Sequence, residues 1–123
     1  MTLSELYQSI EGDYEQAMRV LCMEKMIDKY IRKFPETGVI DALLQAGKAG
    51  DDKAIFENAH AAKGVCANLG LVKLAALSAA LADEFRPGHS RAMSDTQVRG
   101  VFSELDALYR KTRERIQAYT RSL

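Results

Sequence analysis

The chain lacks an excess of charge of either sign. Its 123 residues include 17 Lys and Arg against 17 Asp and Glu, so the formal net charge at pH 7 is zero. Broad binding to a nucleic-acid backbone requires a basic surface. The composition therefore argues against a nucleic-acid partner. Protein partners stay open, because a neutral molecule can still carry complementary patches of charge.

Long apolar runs are lacking as well. The longest weakly polar stretch, residues 69–82, is interrupted by Gly70, Lys73 and Ser78, and it falls short of the roughly 18 residues of a membrane span. The first twelve residues carry acidic and polar side chains where a signal peptide would have an apolar segment. We therefore expect a cytoplasmic protein with no membrane partner.

Cysteine is scarce, and the two that occur, Cys22 and Cys66, have helix-like and mostly apolar surroundings. Disulfides are unusual in cytosolic proteins. A structural metal site would need further Cys or His residues at ligand spacing. We expect two reduced core cysteines and no metal bound by this chain.

The apolar residues recur at spacings of three and four, which is the period of amphipathic helices, and no segment alternates as a strand does. Thr2–Glu5 and Ser94–Gln97 have the spacing of capping boxes, which mark helix starts. The pattern predicts short helices over residues 3–10 and 14–21, longer ones over residues 23–34, 52–69, 71–85 and 94–119, and a further helix between Thr37 and Gly47.

Single residues predict where the third helix ends and where the next helix begins and ends. Pro35 should stop the third helix. Thr37 can cap the helix that follows, and Gly47 with Gly50 would end it. The side chains expected to be buried in these two helices are Met23, Met26 or Ile27, Tyr30, Phe34, Ile40, Leu43 and Leu44.

Long amphipathic helices joined by short links pack as antiparallel neighbours. The fold class predicted is all-α, an antiparallel up-and-down four-helix bundle with extra short N-terminal helices. The length suits one domain and is too small for two. We therefore expect a single domain over residues 1–123, with short helices in 1–21, the bundle in 22–121, and an exposed loop over 86–93.

One histidine stands out on the predicted helix over residues 52–69. His60 lies about 140° around the helical wheel from the centre of the buried seam, so it faces solvent. Gly64 shares this face, and a glycine inside a helix costs about 1 kcal/mol relative to alanine. Such a glycine is tolerated where another molecule approaches the backbone closely. The buried seam consists of Ile55, Ala59, Ala62, Cys66 and Leu69.

These residue types suit phosphoryl transfer. A neutral imidazole has a ring nitrogen with a free lone pair that can attack phosphorus. Lys63 can reach the same point and offset the charge of the phosphoryl group, and such transfers depend mainly on positioning and charge neutralisation. Glu57 is either a hydrogen-bond partner for the other ring nitrogen of His60 or an ordinary solvated acid.

Motifs that bind ATP are absent. The sequence has no Gly-rich phosphate loop and no kinase signature, and no carboxylate cluster accompanies His60. A phosphoryl group on His60 would therefore come from a partner. The chain would be a phosphocarrier without ATP binding or kinase activity of its own.

Residues 59–70 read AHAAKGVCANLG and resemble the signature of the histidine-phosphotransfer (HPt) domain family. The family pattern is a His, then Lys-Gly three and four residues later, then Leu-Gly at the helix end. The positions that match in register are His60, Lys63, Gly64, Asn68, Leu69 and Gly70. The resemblance implies a cytoplasmic four-helix bundle whose histidine accepts a phosphoryl group from a receiver-domain aspartate and passes it to another receiver.

The resemblance also implies roles for individual residues. His60 would be the phosphorylated nucleophile and Lys63 the cation that stabilises the phosphoryl group. Gly64 would give the partner access. With the neighbours of His60 along the helix, the expected receiver-docking face consists of Phe56, Glu57, Gly64, Ala67 and Asn68. The partners would be receiver domains of a hybrid sensor kinase, a response regulator or both, with Mg²⁺ held by the receiver, and the chain would be a monomer.

Two other interpretations are open to test. A phosphoacceptor and dimerisation region of a sensor histidine kinase would carry an acid directly after the histidine, whereas Ala61 follows His60. A non-catalytic helical adaptor, in which His60 is incidental, predicts that His60→Ala leaves the function intact.

Overall fold

The chain folds into seven α-helices without strands in a computed structural model that describes residues 1–123. The predicted all-α class is confirmed. The helices are α1 (Leu3–Ser9), α2 (Tyr14–Leu21), α3 (Glu24–Thr37), α4 (Val39–Ala49), α5 (Asp52–Asn68), α6 (Val72–Glu84) and α7 (Asp95–Arg121). None of them is both long enough and apolar enough to span a bilayer.

Four of the helices form the bundle. α4 packs on α5, α5 on α6, α6 on α7 and α7 on α4, which closes a ring in which α5 and α7 occupy opposite corners. The link between α5 and α6 is only three residues long, as short links between antiparallel neighbours are. α3 packs on α2 and α7, and α1 packs on α7.

One apolar core joins all seven helices. The seam predicted for α5 is buried at Ile55, Ala59, Ala62 and Cys66. Burial raises the pKa of the Cys66 thiol to about 12, so this cysteine is a protonated core residue. Cys22 is also free but exposed, because it ends α2 in a left-handed conformation with φ of 66°, so its expected place in the core is wrong.

The end of α3 differs from the prediction. The helix continues through Pro35 to Thr37, and Gly38 ends it with φ of 69°. A proline in the last turn removes only one hydrogen bond, and a left-handed glycine is a common helix stop. The hydroxyl of Thr37 donates to the carbonyl of Phe34 at 2.7 Å. Thr37 therefore belongs to the end of α3 and does not cap α4.

Burial in α3 and α4 also departs from the prediction. Ile27, Ile31 and Phe34 form the buried stripe of α3, while Met23 and Tyr30 are exposed. In α4, Leu44 is only half-buried, whereas Ala46, which was not expected in the core, is buried. The core side chains of these two helices are Ile27, Ile31, Phe34, Ile40, Leu43 and Ala46.

Gly47 lies inside α4, which ends at Gly50. A Cβ at position 47 would come within 2.6 Å of the Phe102 ring. The glycine therefore lets α7 approach α4, and its predicted role as a helix stop is wrong.

The N-terminal helices hold the C-terminal end of α5. The Tyr7 hydroxyl donates to the carbonyl of Leu69 at 2.7 Å, and the Asp13 N–H donates to the carbonyl of Gly70 at 2.7 Å. Gly70 has φ of 69°, and a Cβ there would collide with the Asp13 carbonyl. Only glycine satisfies both the conformation and the contact.

The loop over residues 86–93 is exposed except at Met93, and a buried acid anchors it. Glu84 is 4% exposed. Its carboxylate accepts hydrogen bonds from the backbone N–H of Met93, the side chain of Arg91 and the backbone N–H of Ala92. These bonds, led by the one from Met93, hold the pKa of Glu84 below its usual range.

Candidate functional site

α5 is fixed at both ends. The Asp51 carboxylate accepts the N–H of Ala54 at 3.2 Å, which caps the first turn and places a negative charge at the positive end of the helix. Tyr7 and Asp13 bind the opposite end through Leu69 and Gly70. The helix between these anchors is therefore a firm support for the side chains on its outer face.

His60 lies on that outer face and is exposed, as the helical wheel predicts. The Phe56 ring stacks beside the imidazole, with centroids 6.0 Å apart and planes inclined by 22°. Phe56 is half-buried against the core, so it limits the orientations open to the His60 ring. Sequence reasoning placed Phe56 on the docking face but did not foresee this support.

Lys63 and Gly64 follow one turn after His60. Lys63 is half-buried and forms none of the ion pairs of the chain, which leaves its ammonium group available. Gly64 is exposed, and nothing lies within 4 Å of the position that a Cβ would occupy. The surface next to the imidazole is therefore open to a second molecule.

The other predicted docking residues have different environments. Glu57 is exposed and forms no hydrogen bond with His60, which favours the interpretation of a solvated acid. Asn68 is exposed at the end of α5. Ala67 is half-buried, and its carbonyl accepts the Gln16 side chain at 2.8 Å, so α2 covers part of the face at this point.

The position of α2 was not predicted. Asp13 binds Gly70 and Gln16 binds Ala67, so α2 runs antiparallel to α5. Val20 lies in the last turn of α2, four residues after Gln16. No local signal in the sequence indicates that these two helices meet.

Large apolar side chains are exposed at the end of α2 and the start of α3. Val20 is 47% exposed and Met23 is 56% exposed. Apart from the chain termini, the exposed large apolar side chains are Val20, Met23 and Tyr30. α2 packs on α5, and it therefore offers exposed apolar surface at Val20.

The surface around His60 is open, because the imidazole is exposed and Gly64 leaves free space beside it. His60 lines none of the cavities between α4 and α7, between α6 and α7, or beside the loop over 86–93, and no three acidic, Cys or His side chains lie together as a metal site would require. The imidazole can therefore meet a reacting group only if another molecule brings that group to the helix face.

The fold and the site together define a small helical bundle that presents one histidine, with a lysine one turn away, on an open helix face. The model of the Hpt domain matches residues 25–115, well over half of the chain, and the chain belongs to this family. The predicted resemblance is thus confirmed. Hpt domains act in histidine phosphotransfer within phosphorelays. The matched region contains α5 and begins after α2. Neither curated proteins nor solved structures give a significant match.

Proposed function

We propose that the chain is a histidine-containing phosphotransfer protein that accepts a phosphoryl group on His60 from the aspartyl phosphate of one receiver domain and passes it to a second receiver. The observation that carries the proposal is the exposed His60 with Lys63 and the open Gly64 on one face of α5, in a chain of the Hpt family.

The chemistry follows from a neutral imidazole. The unprotonated ring nitrogen of His60 attacks phosphorus, an N–P bond forms, and the P–O bond to the partner aspartate breaks, which releases that aspartate as a carboxylate. The other ring nitrogen keeps its proton. Donation to the second receiver is the reverse of these steps. Lys63 offsets the negative charge that the phosphoryl group brings to the face.

The receiver would contribute the rest of the reaction centre. No acidic cluster accompanies His60, so Mg²⁺ would be held by the receiver. Hybrid sensor kinases and response regulators of the cytoplasm are the proposed sources of such receivers.

The docking surface would extend from α5 onto α2. Gly64 permits close approach, and Val20 and Met23 provide exposed apolar area of the kind found at the centre of protein interfaces. Two residues would lie at the margin of this surface. These are Ala67, which α2 covers in part, and the exposed Asn68.

The decisive experiment is transfer from a receiver domain that carries radiolabelled aspartyl phosphate in the presence of Mg²⁺. The chain should gain phosphate that is labile in acid and stable in alkali, and His60→Gln should gain none. His89→Gln is the matched control, because His89 is the second exposed histidine and lies in the loop over 86–93. Labelling that persists in His60→Gln overturns the site.

Two further outcomes separate the alternatives. A phosphorylated receiver that binds the chain without transferring phosphate would support the adaptor. Labelling by ATP alone, without a receiver, would contradict a pure carrier.

A further inference from the structure

A shallow groove of about 500 Å³ runs between α6 and α7. It lies away from His60, because α7 occupies the corner of the bundle opposite α5. Leu77 and Leu108 are half-buried in it, and Ala107 is exposed. The apolar floor is formed by Ala76, Leu77, Ala107 and Leu108, and charged side chains that include Glu104 and Lys111 line its edges.

Two charged residues of α7 line this groove, and the third charged residue of the lining, Lys73 of α6, pairs with Glu11. Neither Glu104 nor Lys111 takes part in an ion pair. They lie seven residues apart, which is about 10.5 Å along a helix, so they cannot pair with each other.

Their positions are symmetric about the point between Ala107 and Leu108. Glu104 comes three residues before Ala107, and Lys111 comes three residues after Leu108. If a second α7 lies antiparallel across this point, Glu104 of each copy faces Lys111 of the other. An interface between identical chains around a two-fold axis needs this kind of self-complementary surface.

The same symmetry relates Gly100 to Arg115. Gly100 is exposed inside α7, and nothing lies within 4 Å of where its Cβ would be. Glycine weakens a helix interior, and no part of the chain uses the space it leaves. Arg115 is exposed and forms no ion pair. In the antiparallel arrangement, its long side chain would lie over the bare backbone at Gly100 of the other copy.

We propose that two copies of the chain associate through the α6–α7 groove, with their α7 helices antiparallel around a two-fold axis between Ala107 and Leu108. The apolar floor provides the contact area, and the reciprocal pairs of Glu104 with Lys111 fix the register. The association is weak because the groove is shallow, so the monomer predicted from the sequence is the form at low concentration. His60 stays free in both copies.

Charge reversal tests the register directly. Glu104→Lys and Lys111→Glu should each be monomeric in sedimentation velocity across a concentration series, because each places like charges opposite each other. An equimolar mixture of the two variants should form a heterodimer, since every reciprocal contact then joins opposite charges. A wild-type chain that stays monomeric up to about 1 mM, the upper end of weak specific association, overturns the proposal. The proposal is also overturned if the equimolar mixture of the two variants associates no more than either variant does alone.

A cross-link tests the position of the axis. In a Cys22→Ser background, Ala107→Cys places one thiol beside the axis, and mild oxidation should give a disulfide-linked dimer. Thr120→Cys is the matched control on the same helix, about 20 Å from the axis, and should not cross-link. Equal cross-linking of both variants, or of neither, contradicts the arrangement. Phosphate transfer to His60 should be unchanged in all these variants, so the dimer and the proposed function fail separately.

Discussion

Lys63 owes its proposed importance to a free ammonium group one turn from His60. We expect Lys63→Ala to slow phosphate transfer about tenfold, which corresponds to about 1.4 kcal/mol in the barrier, because a positive charge near the phosphoryl group is lost. The free energy of unfolding should hardly change, since Lys63 forms no ion pair. Single-turnover transfer and urea unfolding measure the two quantities. Lys53→Ala, an exposed lysine of the same helix, should transfer normally, and equal rates in both variants would make Lys63 an ordinary surface charge.

Gly64 leaves open space on the face of α5 that carries His60, and a glycine inside a helix lowers its stability. Gly64→Ala should raise the free energy of unfolding by roughly 1 kcal/mol, because nothing lies where the added Cβ would be placed. Gly64→Leu should block transfer by filling the space in front of a docking receiver. Thermal unfolding and the transfer assay together test this.

Gly100→Ala is the control for Gly64, because Gly100 is also an open helical glycine. It should be stabilised to a similar degree and keep full transfer activity. A Gly64→Leu variant that transfers at the wild-type rate would show that the receiver does not approach this part of α5.

Among the helices, the short N-terminal pair determines how firmly α5 is held. Tyr7→Phe removes the only hydroxyl that donates to the carbonyl of Leu69, and a buried group left without a partner costs about 1–3 kcal/mol. We expect that loss in the free energy of unfolding. The folded variant should transfer phosphate normally, since His60 is untouched.

Tyr14→Phe is the matched control for Tyr7, because the Tyr14 hydroxyl forms no hydrogen bond in the chain although its ring packs edge-on against Tyr7 at 5.5 Å. It should unfold at nearly the wild-type denaturant concentration. Equal effects of the two changes would mean that the rings, and not the Tyr7 hydroxyl, secure the end of α5.

Glu84, which anchors the loop between α6 and α7, makes the free energy of unfolding depend on pH in the acid range. The pKa of Glu84 is lower in the folded chain than its ordinary value of 4.5, so the unfolded state binds the proton more tightly. The stabilisation is therefore complete above about pH 4.5 and is lost as the pH falls through the folded value. Glu84→Gln should flatten the dependence of unfolding on pH in this range, as followed by circular dichroism. The exposed Asp83→Asn should leave it steep.

The sequence contains enough to predict the helices of the whole molecule and the exposure of His60. Spacings of three and four identify the seam of α5, and Asp51 and Thr2 supply caps that need only local hydrogen bonds. The prediction that Met23 and Tyr30 lie in the core was wrong. A helical wheel shows which residues share a face, but it does not show which face packs against another helix.

Contacts between distant residues set the remaining features of the site. Gln16 and Ala67 are 51 positions apart, and nothing local in either segment indicates that they meet. The stack of Phe56 on His60 depends on side-chain rotamers that packing against the core selects. The proposed role of Val20 in docking likewise emerges only when α2 lies beside α5.

The bond between Tyr7 and Leu69 spans 62 positions of the chain, and this has a consequence for the order of folding. Helices as short as α1 and α2, with 7 and 8 residues, do not persist alone in water. Both are synthesised before α5, yet the carbonyls of Leu69 and Gly70 that bind Tyr7 and Asp13 exist only after residue 70 has been synthesised. α1 and α2 therefore reach their final positions no earlier than the completion of α5, although they precede it in the chain, and α5 acquires its final anchor at that moment.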